Sequence, residues 1–425
     1  MTNSPHADPR AAVPAIQRQG RHLVMPGMAT VHSHAFQRAL RGRTQRRSTA
    51  AATFWTWRGL MFALAERLSP DAIFNITRFA FVELAMSGVT AVGEFHYLHH
   101  DQGGRPYTNR VELSEAIIAA ARAAGVRVTL IRAAYMRAGH EQALAPGQLR
   151  FCDAHVEQIL ADVETLQARY AHDPLVKVAV AAHSIRAVPL EHVATLAAYA
   201  RAQHLPFHMH VAEQRRELAE CQNEYGTTPV DLLARHGILD ERFVAIHATH
   251  LTPAEIAALG AARAYIGLCR TTERDLGDGA PKTAALIQAG AQLCFGVDSH
   301  ASGDAFEEVR AAELDMRVQA EARHVAVEAP RLLDAATRAG YQAIGYGAEW
   351  QADTVWLSAA DASIAGADDE LLADAVIFGA TPRAVDRVAV AGQVIVDGGR
   401  HVRYEEALAG FQQTISSEGS LLFHQ

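Results

Sequence analysis

Apolar and β-branched runs of strand length recur eight times along the chain, separated by Ala-rich stretches whose apolar residues return every three or four positions. The runs are HLVMPGMATVHSH, VTAVGEFHYLHH, VRVTLIRAAYM, VKVAVAAHSI, LPFHMHVAEQ, RFVAIHATHL, ARAYIGLC and AQLCFGVDSH. They are continuously apolar rather than alternating, as strands buried on both faces of a parallel sheet are. LSEAIIAAARAAG, FCDAHVEQILADVETLQARYA, LEHVATLAAYARAQ and TPAEIAALGA lie between them with helical periodicity, and several end on Gly or another stop. Strand alternating with helix eight times predicts an α/β fold, a (β/α)8 TIM barrel.

The pattern changes after about Gly345. ADTVWLSA, ADAVIFGA and VDRVAVAGQVIVDGG are short strand-like runs joined by Gly and Asp, and GQVIVDGGRHV has the form of a hairpin. The expected organisation is a short N-terminal segment (1–24) without evident structure, a catalytic barrel (25–344), and a small β domain with a tail (345–425). The β appendage is thus expected mainly from the C-terminal region.

Composition narrows the class. A chain of 425 residues, 49% hydrophobic and 20% charged, is long enough to bury a large globular core. A net charge of −8 offers no basic surface to nucleic acid or anionic lipid. Arg38, Arg41, Arg43, Arg46 and Arg47 cluster just ahead of an aromatic stretch and read as a local anion-facing or solvated loop. Cys152, Cys221, Cys269 and Cys294 are scattered without CxxC spacing, which argues for reduced thiols in a cytoplasmic protein. The N-terminus lacks the pattern of a signal peptide, and the most apolar helical candidate, near residues 79–92, is interrupted by Glu83 and too short for a bilayer. A soluble protein is expected.

Barrel chemistry belongs at the C-terminal ends of the strands, and the histidines fall there. His32 and His34 close the first run, two residues apart and so on one strand face. His183 and Arg186 follow the fourth run, His208, His210 and Glu213 the fifth, His247 and His250 the sixth, Asp298 and His300 the eighth. One such histidine is an ordinary strand-end polar residue in a chain that has 22, and His99, His100 and His155 are expected on the surface or in loops. The weight lies in the constellation, since strands 1, 5, 6 and 8 send imidazoles and a carboxylate to one mouth. His32, His34, His210 and Asp298 offer three neutral nitrogens and an oxygen, a set suited to Zn²⁺ or Fe²⁺ with a position left for water. Glu213 is placed to reach that water without binding the metal, and His247 to polarise or hold its oxygen.

HSH, HMHVAE, HATH and GVDSH, after strands 1, 5, 6 and 8, resemble the motifs of the amidohydrolase superfamily. Within it, VHSHAFQRALRG, FWTWRGLM, VGEFHYLHHD, HSIRAV, HVAEQ, HATHL and GLCRTTERDLGDG resemble the formimidoylglutamate deiminase family, from about residue 25 to beyond 298. The resemblance implies one zinc per chain on His32, His34, His210 and Asp298. Two-metal relatives carry a bridging lysine after strand 4; here that strand ends in AAHSIR and Lys177 stands at its start. The implied reaction is hydrolysis of N-formimino-L-glutamate to N-formyl-L-glutamate and ammonia, as in histidine degradation, by a cytoplasmic homodimer. In it Asp298 takes a proton from the attacking water, Glu213 protonates or hydrogen-bonds the imino nitrogen, and His247 stabilises the attacking oxygen. A dicarboxylate needs cations that bind it bidentately. The resemblance supplies Arg58 and Arg186, with Gln37, Tyr97 and His183 completing the cage, and makes Trp55 and Trp57 packing or wall residues.

The chain departs from the family pattern in places. About two dozen residues precede the first motif, where the family has a longer segment that builds half of the small β domain. Arg270 stands where the family has Pro, and DSHASGDAFEEVRAAE differs from the usual run after the strand-8 aspartate. Both are expected near the mouth, where they would alter substrate fit. Two alternatives stay open: another deaminase or hydrolase acting on a guanidino compound, purine or pyrimidine, and a barrel that has lost catalysis and serves as a binding module. Two arginines without a base-stacking constellation count against the first, and the complete set of metal and proton-transfer positions against the second.

Overall fold

The computed structural model describes residues 14–45 and 53–418, so Arg46 and Arg47 lie outside the described residues. The described chain opens on a hairpin of β1 (Gln17–Gln19) and β2 (His22–Pro26). The run HLVMPGMATVHSH then divides at Gly27: β2 joins a small sheet, and β3 (Met28–Ser33) begins the barrel. A side chain at Gly27 would collide with Thr90, so only glycine lets the chain turn this closely against the next barrel strand.

β4 (Val89–His96), β5 (Arg127–Ala134), β6 (Val176–Ala182), β7 (Phe207–Val211), β8 (Phe243–His247), β9 (Tyr265–Leu268) and β10 (Gln292–Phe295) complete eight parallel strands in sequence order. The expected (β/α)8 barrel is therefore present. Val31, Val92, Ile131, Val180, Ile246 and Ile266 are fully buried in these strands, each contributing about 1.5–3 kcal/mol by leaving water. The helices follow their local signals. Glu112–Ala124 ends on Gly125 in the left-handed region, and Pro253–Ala261 begins with a capping box between Thr252 and Glu255.

The second sheet is antiparallel, in the order β1, β2, β11 (Thr354–Ser358), β12 (Val385–Val390), β13 (Gln393–Asp397), β14 (Arg400–His401). Four of its strands come from the C-terminal region, and the hairpin expected in GQVIVDGGRHV is β13–β14. Residues 17–24, expected without structure, instead supply two strands, because β11 has a free edge that β2 pairs along its whole length. The boundary expected at residue 25 accordingly falls inside β2. ADAVIFGA, expected as a strand, is the helix Leu372–Gly379. A short apolar run without alternation fits either state. Here Arg310 decides it by donating to the helix-end carbonyls of Phe378 and Ala380.

Asp353 ties the two sheets together. Its carboxylate takes a bidentate pair from Arg127 on β5 (2.7 and 2.9 Å), the Tyr341 hydroxyl (2.6 Å) and the Ala391 amide (2.8 Å), while its carbonyl accepts from Gly27. Of the basic cluster, Arg38 and Arg41 both bind Glu83, so part of the expected solvated loop is clamped to the helix Pro70–Met86. Among the described residues no helix is long and apolar enough to cross a membrane, and all four cysteines are unpaired.

Candidate metal centre and its cavity

The strand ends place the expected donors around one point. His32 Nε2 lies 3.1 Å from His34 Nε2 and 3.0 Å from His210 Nε2. Asp298 Oδ1 lies 3.3 Å from His34 Nε2 and 3.5 Å from His32 Nε2. The outer nitrogens hold the rings in place: His34 Nδ1 donates to Phe95 O and His210 Nδ1 to His183 O, each at 2.9 Å. These bonds put the protons on Nδ1 and turn both Nε2 lone pairs inward. Burial keeps the imidazoles of His32 and His210 well below their ordinary pKa, and holds His34 down to about 3. One proton on His32 Nε2 would satisfy one of these close contacts; a divalent cation satisfies all four donors. The set fits a metal by its chemistry and convergence.

The barrel closes at this point. Among the described residues, β3 meets the segment that follows β10 in a single bridge, Ser33 to Asp298. His34 N donates to Asp298 O (2.9 Å) and Asp298 N to His32 O (3.0 Å). Below them Thr30 Oγ1 stands in for the ladder, accepting from Val297 N and donating to His32 O. Gly296 permits the close approach, since a Cβ there would sit 2.7 Å from His32 Cβ. Asp298 and His247 have positive φ (51° and 70°), a strained backbone at the strand ends.

Burial, with Glu213 and Glu273 nearby, pushes the Asp298 carboxyl up to about 7 against the pull of His247. Burial disfavours charge on His247, yet Glu213, Glu273 and Asp298 outweigh it and lift its pKa to about 10. His247 Nε2 is 3.7 Å from Asp298 Oδ2, and Nδ1 is 3.2 Å from Glu273 Oε1.

An open cavity is lined by His34, His210, His247, Asp298 and Glu213, and also by Gln37, Arg58, Tyr97, His183 and Arg186. Every residue expected in the site is thus gathered in or beside one space; His32 sits behind it, fully buried. Gln37 Nε2 donates to the Tyr97 hydroxyl (2.8 Å), leaving Gln37 Oε1 without a partner. Arg58 donates to the Tyr135 hydroxyl (3.0 Å) and Arg186 to Ala138 O (3.2 Å). Neither arginine has a carboxylate partner among the described residues. Burial and then the nearby Arg186 lower the Arg58 pKa, which records two cations facing one space. Trp57 lines the cavity, while Trp55 stacks under Arg216.

Other expectations need correcting. His99 and His100 lie in the loop after β4, as one part of the expectation had it, but are buried rather than on the surface, bonding Ala133 O and Cys152 O. His208 lies deeper in the barrel on Ala343 O, and His300 bonds Ser33 Oγ at 2.8 Å. Arg270 does not line the cavity; its buried guanidinium turns away to Asp315, Glu273 and Gly279 O. Lys177 bonds Gly345 O, on the segment that follows the barrel.

Several supporting residues were not anticipated. Glu94 accepts from Ser33 Oγ (2.5 Å) and Ala35 N (2.8 Å), bracing the residues on either side of His34. Glu217 accepts from the amides of Ala212 and Glu213. Tyr135 holds Arg58, and Glu273 holds His247. An acid inside the otherwise apolar run VTAVGEF was the available signal for Glu94; the others carried none.

Comparison with known proteins adds to this geometry. The amidohydrolase family matches residues 23–395. A formimidoylglutamate deiminase of Pseudomonas aeruginosa is 37% identical over 407 residues, covering 92% of this chain and 88% of the relative. An amidohydrolase crystal structure from Brucella melitensis has a TM-score of 0.84 at 32% identity, over 95% of this chain and 96% of that one. An adenosine deaminase from Xanthomonas campestris with bound zinc has a TM-score of 0.79 at 22% identity, over 94% and 87%, and shares the fold.

Proposed function

The chain belongs to the amidohydrolase family, and from that premise we propose that it hydrolyses N-formimino-L-glutamate to N-formyl-L-glutamate and ammonia, with one zinc ion per chain. The observation that carries this reading is one cavity with a metal-binding donor set at its floor and, in its wall, two arginines that have no carboxylate partner among the described residues. Guanidinium pairs bind carboxylates bidentately, and the P. aeruginosa relative bears the name of that activity.

His32, His34, His210 and Asp298 would hold the ion, which when bound supplies Lewis acidity and lowers the pKa of water to about 7. Arg58 and Arg186 bind the two carboxylates, with Gln37, Tyr97 and His183 between them. Asp298 takes a proton from the attacking water as its oxygen bonds to the formimino carbon. His247, charged at neutral pH, donates to that oxygen and stabilises its developing charge. Glu213 delivers a proton to the terminal nitrogen, Asp298 passes on the proton it took so that this nitrogen leaves as ammonia when the C–N bond breaks, and the hydroxyl proton of the added oxygen returns to Glu213. Histidine degradation, a homodimer and a cytoplasmic location belong to the same proposal through the family resemblance.

The test is ammonia release from N-formimino-L-glutamate by zinc-loaded protein, with Asp298→Asn as control. Rapid release that the control abolishes is expected. No release from metal-replete protein, with turnover of guanine, cytosine or N-formimino-L-aspartate instead, would replace this substrate.

A further inference from the structure

We propose that Glu273, backed by Arg270, is a positioning residue that fixes the direction of the His247 ring through its Nδ1. This rests on the role given to His247 above. Glu273 is completely buried, on the first turn of the helix Arg270–Leu276 that follows β9. Its Oε1 accepts from the Cys269 amide (3.0 Å) and from His247 Nδ1 (3.2 Å), and its Oε2 is taken by Arg270 Nη1. Three donors from three directions leave the carboxylate no freedom to rotate. The Nδ1–H of His247 is thereby held on Glu273, and Nε2 is turned toward Asp298.

Arg270 makes a buried anion tenable. Its Nε and Nη2 bind Asp315 Oδ2 at 2.9 and 2.6 Å, and Arg274 holds Asp315 from the outside. Charges therefore alternate from Arg274 at the surface through Asp315 and Arg270 to Glu273, and the series ends on His247. A buried ion pair returns little net stability, but it fixes direction, and this one ends on a ring that faces the cavity. His247, Cys269 and Glu273 also lie close enough to suggest a second metal set. The Arg270 guanidinium on Glu273 excludes it, because a cation there would face another.

The experiment compares Glu273→Gln, Arg270→Lys and Arg270→Ala in zinc-loaded protein. For Glu273→Gln we expect zinc content and KM near the parent's and kcat lower by roughly 10- to 100-fold, the usual consequence of a misaligned group. Arg270→Lys should retain more kcat than Arg270→Ala. Independently of activity, ¹⁵N imidazole spectra, assigned with His247→Ala, should show a hydrogen-bonded Nδ1–H on His247 in the parent and an altered one in Glu273→Gln. An unchanged His247 spectrum, or equal losses in zinc content, KM and kcat, would overturn the proposal. Two tightly held metals per chain would overturn it in favour of a second metal centre. An unreactive parent whose spectra still follow Glu273 would refute the substrate reading and leave the brace standing.

Discussion

Ser33 and Asp298 form the bridge that joins the first barrel strand to the last, and the residues on either side of Ser33 are two of the candidate metal ligands. Barrel closure and metal binding therefore share the same peptides. Stripping the metal should lower Tm and speed amide exchange in residues 28–34 and 292–300 before the rest of the barrel. Ligand at a thousandfold excess over Kd stabilises by about 4 kcal/mol. Exchange that rises evenly over the barrel, or not at all, would separate the seam from the metal.

Arg186 faces the cavity and, among the described residues, hydrogen-bonds only the Ala138 carbonyl, so Arg186→Ala leaves the fold intact and removes a charged contact to substrate. Such contacts contribute about 1.5–3 kcal/mol. KM should rise roughly 10- to 100-fold with zinc content unchanged, measured by steady-state kinetics alongside metal analysis. Unaltered kinetics would remove Arg186 from the carboxylate cage.

Asp353→Ala should cost about 3–5 kcal/mol, because it leaves Arg127 buried and unpaired. It also cuts the Tyr341 and Ala391 bonds that tie the barrel to the antiparallel sheet. Denaturant unfolding measures the loss. Activity per folded molecule should be preserved, since Asp353 lies outside the cavity.

Glu308 supplies a pH test of stability. Burial, reinforced by Glu273, pushes its carboxyl from 4.5 to about 8 despite two contacts from the Thr271 amide. The folded chain keeps a proton there that the unfolded chain has released, so stability falls as pH rises from about 4.5 to about 8. Glu308→Gln should flatten that decline in Tm between pH 6 and 9. Parallel slopes for parent and variant would show that Glu308 does not titrate in this window.

The sequence by itself determined the eight-strand barrel and the strand ends that carry His32, His34, His210, His247 and Asp298. Continuous apolar runs, helical periodicity and the two-residue strand period are local properties of the chain, and a barrel directs all its strand ends to one mouth. Tertiary structure decided what depends on partners distant along the chain. β2 pairs with β11 across more than three hundred residues, and Leu372–Gly379 is a helix whose end Arg310 satisfies. Arg270 turns into Asp315 and Glu273 instead of the mouth. Buried charges such as Glu94 and Glu273 need particular donors, and the positions of those donors are set by packing, not by spacing along the chain.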